Sequence, residues 1–230
     1  IIAADKNYNL IRIITGFKGI QGEVTFNNPM GVFVKDNGDI YVADQGNARI
    51  IVSDENLNVI NIFGKPESEL ITGNFEYRPA KVVVDQYNRI YVQATGVFEG
   101  LISLDENGNF LNYYGSNRVE MTPARLVQQF WRRFMTREQA TATENFIPIE
   151  YSNVFLDDEG FIFATATTST TYDNQIVRLN PMGNDILRWR RLRWFQNSNF
   201  ADVYTDEHGF VTAVDSVRGR IYQAEPDRGT

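Results

Sequence analysis

One phrase recurs five times along the chain. Ile1-Ile-Ala-Ala-Asp5-Lys-Asn-Tyr-Asn-Leu10-Ile-Arg-Ile-Ile14 returns as Ile50-Ile-Val-Ser-Asp54-Glu-Asn-Leu-Asn-Val-Ile60-Asn-Ile-Phe63 and as Leu101-Ile-Ser-Leu-Asp105-Glu-Asn-Gly-Asn-Phe110-Leu-Asn-Tyr-Tyr114. Shorter copies are Ile176-Val-Arg-Leu-Asn180-Pro-Met-Gly183 and Ile221-Tyr-Gln-Ala-Glu225. Three of the four intervals fall close to the roughly 40–50 residues of a propeller blade, and the third is stretched by an insertion. Self-similarity at this period restricts the chain to repeated β-sheet units, each of which buries its faces against its neighbours.

A second element precedes each phrase. Pro29-Met-Gly-Val-Phe-Val34-Lys-Asp-Asn-Gly38-Asp-Ile40-Tyr-Val42 aligns without a gap onto Pro79-Ala-Lys-Val-Val-Val84-Asp-Gln-Tyr-Asn88-Arg-Ile90-Tyr-Val92, and the pattern returns at Val154–Phe163 and Val203–Val211. Each is a β-rich run, a polar turn with Gly or Asn at a fixed place, and a second β-rich run, which is the grammar of a hairpin. With the two strands of the recurrent phrase this predicts four strands per unit, named a to d from the axis outwards. Val32, Val34, Val82, Val84, Val154 and Val203 are assigned to inner strands. The reading is all-β: a β-propeller of four-stranded antiparallel blades, one unit over residues 1–230. Residues 1–14 supply only strands c and d, and 200–225 only a, b and c, so a partial or open array is expected, a segment of a longer propeller. The alternative is a closed four-bladed ring with one surplus strand.

The repeat resembles the NHL family. Gly38-Asp-Ile-Tyr-Val-Ala43-Asp44-Gln-Gly46-Asn47-Ala-Arg49-Ile50 is similar to its usual form, G-x-I-Y-V-A-D-x-x-N-x-R-I, whereas Gln93 replaces the Asp in the next unit and Asp215-Ser-Val-Arg-Gly219-Arg220 lacks the Asn. Gly64-Lys-Pro-Glu-Ser68 and Phe146-Ile-Pro148 look like bacterial NHL-repeat proteins of unassigned role. That resemblance implies a longer parent, exported or membrane-anchored. Asp44, Asn47 and Arg49 read as blade architecture, with the carboxylate capping turn amides, Gly46 in the left-handed region and Arg49 tying the turn to a neighbour.

Between Gly115 and Glu150 lies the insertion, about 116–149. Thr122-Pro123 is a helix start, and Val127, Phe130, Trp131 and Phe134 share one helical face beside Arg125, Arg132 and Arg133. Thr136-Arg-Glu-Gln139 reads as a capping box opening a second short helix. The stripe either packs on a blade or serves as a lid or partner dock, for which Phe130, Trp131, Arg132 and Phe134 are the candidates. Arg188-Trp-Arg-Arg-Leu-Arg-Trp194 reads as an outer strand with its guanidinium groups in solvent, or else as a basic binding edge.

Candidate ligand-binding residues stand where inner strands begin, at the axial channel mouth: Asn28, Arg78, Glu150 and Asn199, with Asp202 close by. A basic group, two acids and two amides suit a polar ligand. The functional expectation is a scaffold that binds a protein, peptide or polysaccharide. The runner-up is a divalent-metal lactonase- or lyase-like enzyme at the same mouth, on the oxygen ligands such a cation prefers. The absence of cysteine excludes disulfides and thiolate metal sites. A formal charge of −7 argues against nucleic acid, and no apolar run reaches the length of a membrane span. No cofactor is expected. His208, the single histidine, lies in a turn, and neither a nucleophile elbow nor a phosphate-cradling motif occurs.

Overall fold

The computed structural model describes residues 1–68, 71, 76–115, 150–166, 175–187 and 198–225. Six antiparallel sheets follow one another along the chain. β1 (Ile2–Ala4) pairs with β2 (Leu10–Ile13), and β3 (Gly16–Gly19) with β4 (Gly22–Thr25). Next come two complete four-stranded sheets in simple meander order. The first comprises β5 (Pro29–Val34), β6 (Ile40–Asp44), β7 (Arg49–Ser53) and β8 (Val59–Phe63). The second comprises β9 (Pro79–Val84), β10 (Ile90–Ala94), β11 (Leu101–Leu104) and β12 (Phe110–Tyr114). β13 (Tyr151–Leu156), β14 (Ile162–Ala166) and β15 (Ile176–Leu179) form a third blade. β16 (Phe200–Thr205), β17 (Val211–Asp215) and β18 (Arg220–Ala224) form a fourth. In the third blade a lone bridge from Leu179 to Asp185 is all that is described of the expected strand d.

Four apolar clusters hold the stack together, one between each pair of neighbours. Val52, Ile50 and Phe63 pack on Val82, Val84, Ile102 and Leu104. Tyr91, Leu101 and Tyr114 pack on Val154, Ala164, Val177 and Leu179. Phe163 and Ile176 meet Phe200, Val203 and Ala213. At the leading end Ile14 and Phe17 cover Val42 and Ile51. A sheet flanked on both sides buries both faces because alternate residues point to opposite sides, which is why Tyr91 and Val92 are both buried. First strands touch first strands in turn, β5 to β9, β9 to β13 and β13 to β16. They are therefore the inner strands, as expected for all six valines.

The β3–β4 hairpin was not anticipated from the repeat. It lies over the leading face of the first complete blade, where Phe17 is fully buried and meets Phe26 edge-on. The terminal sheets stay separate: β1 pairs only with β2, and β16–β18 form a sheet of their own. The described residues thus make a partial, open propeller, without the ring closure of the alternative reading. The insertion at 116–149, its two helices included, and the 188–194 run lie outside the described residues.

Candidate functional site

The mouth is built by one local device repeated four times. Every inner strand carries a register shift at its second residue: the pairing skips Met30, Ala80, Ser152 and Ala201. A bulge of this kind bends the strand and re-aims the side chain that follows it. The residues that follow are Gly31, Lys81, Asn153 and Asp202, and they form an equivalent set on adjacent inner strands. Asn28, Arg78, Glu150 and Asn199 form a second set, each one residue before its strand. The five expected ligand residues therefore do share one end of the inner strands. Arg78, Asn28 and Asp202 are exposed, while Glu150 and Asn199 are half-buried.

Several of these groups are already engaged, some within a blade and some between blades. Asn28 Nδ2 donates to Gln45 Oε1 at 3.2 Å. Glu150 Oε1 accepts the Gly96 amide of the preceding blade at 2.7 Å. Asn153 donates its side-chain amide to Asp202 Oδ1, which also takes the Val203 N–H at 2.8 Å. The Arg78 carbonyl accepts the Thr95 N–H at 2.9 Å, leaving its guanidinium at the exposed rim. Lys81 and Asn153 were missed by the sequence reading. Their signal was the bulge, visible only as a one-residue offset between each strand start and the axial residue.

The same end carries the Asp44 cluster. Asp44 is fully buried. Its carboxylate accepts the Asn27 N–H at 2.6 Å, Asn47 Nδ2 at 2.8 Å and Arg49 Nε at 2.8 Å. Arg49 Nη2 reaches on to the Thr25 carbonyl at 2.9 Å, so the cluster locks the β3–β4 hairpin to the blade. Two details of the expectation need correcting, the first being that the carboxylate caps no backbone amide of its own turn and takes the Asn27 N–H instead. The left-handed residue is Ala48, at φ 51°, rather than Gly46. Gly46 is required instead for close approach, since a Cβ there would lie 2.6 Å from the Asn27 carbonyl oxygen. Asp215 is the matching residue of the last blade. Burial pushes its carboxyl up, but hydrogen bonds from the Asn199, Val217 and Arg218 amides outweigh that and leave it below the usual range.

Among the described residues no three His, Asp or Glu side chains come together as a metal-binding set. His208 is exposed in its turn, with Glu207 Oε1 at 3.8 Å from Nδ1. The partner candidates Phe130, Trp131, Arg132 and Phe134 lie outside the described residues.

No protein-family model matches the sequence, and no curated protein matches it. Solved structures do. A protein of unknown function from Bacteroides caccae superposes with a TM-score of 0.54 at 10% identity, over 90% of this chain and 69% of that one. The fold is a β-propeller. The extracellular domain of a putative hybrid two component system from B. thetaiotaomicron gives a TM-score of 0.53 at 11% identity, covering 93% of this propeller and 25% of the sensor chain. Virginiamycin B lyase from Staphylococcus aureus gives 0.49 at 10% identity, covering 87% and 57%. The propeller thus spans little more than half the length of the lyase it matches and a quarter of the sensor domain. Among the described residues no helix is long and apolar enough to cross a membrane.

Proposed function

We propose that this propeller, of NHL type and bacterial, is a binding module rather than a catalyst. Its ligand, a protein, peptide or polysaccharide, sits at the mouth lined by Asn28, Arg78, Glu150, Asn199 and Asp202. The observation that carries the reading is the repeated bulge. It aligns Lys81, Asn153 and Asp202 on adjacent inner strands next to the residues that precede those strands, with the buried Asn153 amide holding Asp202 in place. A row of amides with charges of both signs, on a rigid frame, suits recognition of a polar chain through several hydrogen bonds. The sensor ectodomains it resembles in fold support an extracytoplasmic setting and a role in binding. The apolar stripe of the insertion, Phe130, Trp131 and Phe134 with Arg132, offers a second surface for a protein partner.

The test is calorimetric titration of the chain with soluble acidic and neutral polysaccharides and with peptide pools. A ligand that binds should do so about tenfold or more weakly to Arg78→Ala, the loss of roughly one charge-assisted hydrogen bond, with melting unchanged because Arg78 is exposed. Binding indifferent to both Arg78→Ala and Lys81→Ala would refute the mouth as the site. Turnover of lactones by the chain, stopped by a chelator, would establish the metal-dependent alternative.

A further inference from the structure

The two cations of the mouth belong to one corner of the β9–β12 blade. Arg78 stands one residue before β9, and Lys81 follows the bulge in it. Sheets flank this blade on both sides, so the corner lies inside the array rather than at an end of it. Among the described residues neither cation takes part in an ion pair. The neighbouring carboxylates are satisfied from within the protein. Glu150 takes the Gly96 amide at 2.7 Å, Asp202 takes Asn153 and the Val203 amide, and Asp44 takes Arg49. The corner therefore carries positive charge without a counter-ion of its own, in a chain of formal charge −7. That overall charge repels anions at a distance, so an anion held here is held by direct contact with these two groups.

A second observation narrows the ligand. Gln93 is the register partner of Lys81, so the two side chains leave the sheet on one face. It is the face on which Val83 and Tyr91 pack against the third blade. Gln93 is 5% exposed, and its Oε1 is buried without a hydrogen-bond partner. A buried acceptor left unpaired costs free energy that a donor restores. Close by, a Cβ added to Gly96 would meet nothing within 4 Å, so there is open space beside the corner. Two things are wanted within reach of adjacent side chains: an anionic acceptor for Arg78 and Lys81, and a neutral donor for Gln93.

We infer that the ligand of the mouth is an acidic polysaccharide, with a uronate residue seated at this corner. Its carboxylate lies on Arg78 and Lys81, and a ring hydroxyl donates to Gln93 Oε1. Lys81, half-buried on the same face, lifts to meet the carboxylate and lets the hydroxyl reach the amide. The inference rests on the binding reading above and adds the class of ligand. A uronate ring holds hydroxyl donors beside its carboxylate on one rigid frame, which keeps the ordering cost low. An aspartate or glutamate side chain offers the carboxylate alone, with its nearest donor on the backbone.

The test is calorimetric titration with polygalacturonate and two controls. Its methyl ester keeps the hydroxyls and loses the charge, whereas polyglutamate keeps the charge and lacks the hydroxyls. The acid should bind about a hundredfold more tightly than the ester, roughly a tenfold step for each charge-assisted hydrogen bond. Arg78→Ala with Lys81→Ala should weaken the acid by the same factor and erase its advantage over the ester. Gln93→Leu should weaken polygalacturonate about tenfold and polyglutamate far less, with melting no lower because an unpaired buried acceptor is removed. An ester that binds as tightly as the acid overturns the inference, and so does a failure of polygalacturonate to bind. Polyglutamate binding as tightly as polygalacturonate also overturns it and assigns the corner to an acidic peptide. The mouth survives these results if whichever ligand binds still loses affinity with Arg78→Ala, and it falls with them if that ligand is indifferent to both substitutions.

Discussion

At the scale of residues, most of the fine structure comes from positions where the backbone turns left-handed. Eight hairpin turns share one form, in which the fourth residue takes a positive φ: Tyr8, Gly38, Leu57, Asn88, Gly108, Gly160, Gly183 and Gly209. Two of the glycines differ sharply in surroundings. A Cβ on Gly108 would run into the ring of Phe63 from the preceding blade, whereas one on Gly209 meets nothing within 4 Å. Left-handed strain alone costs about 1–2 kcal/mol, and overpacking adds roughly 1–3 kcal/mol. Gly209→Ala should therefore lose only the first amount and Gly108→Ala the sum, as read by urea unfolding at fixed pH. Equal losses at the two sites would mean that Phe63 does not pack against the turn. The turn positions were legible in the sequence because Gly and Asn mark them. Tyr8 and Leu57 were not, since nothing in a bulky side chain announces a left-handed backbone.

At the scale of elements, the recurrent phrase is explained by one side chain. In Asp54-Glu-Asn-Leu-Asn58 the carboxylate accepts the amides of Asn56 and Asn58 at 2.9 and 2.7 Å, and its other oxygen accepts Asn58 Nδ2 at 2.8 Å. Asp5 and Asp105 do the same with Asn9 and Asn109. Chiefly through that side-chain amide, each carboxyl is held below the ordinary 3.8. A folded-state value lower than the unfolded one means that the native chain binds these protons less tightly. The stabilisation is thus complete above about pH 4 and fades as acid carries the pH through the lowered values. Asn58→Ala should destabilise the protein near neutrality and less so towards pH 2, where the two melting curves converge. A constant offset across that range would remove the carboxylate from the account. Strand order within each complete blade was legible from hairpin grammar. The β3–β4 hairpin was not, because it occurs once and has no copy to align with.

At the scale of the whole molecule, stability is a chain of neighbour contacts. Each apolar cluster joins one sheet to the next, and in such arrays local interfaces add up rather than cooperate globally. The β9–β12 sheet is flanked on both sides, while β1–β2 and β16–β18 each face a single neighbour. Native-state hydrogen exchange should therefore rank Val92 and Ile102 slowest and the amides of β1 and β18 fastest, with intermediate values in β13–β15. Uniform protection across all six sheets would show a single cooperative unit. The array itself could be read from period and alternation, and so could the end at which the polar residues gather. Lys81 and Asn153 could not, since their axial position depends on a bulge that shifts the aligned frame by one residue.

Gly31 gives this geometry a further meaning. A Cβ there would stand 2.5 Å from the Ala80 carbonyl oxygen and 3.0 Å from the Lys81 Cα. Any side chain would act as a spacer between β5 and β9. Separation between inner strands is set by how closely their backbones can approach. The missing methyl group is thus a gauge, fixing how closely β5 can approach β9 beside Lys81.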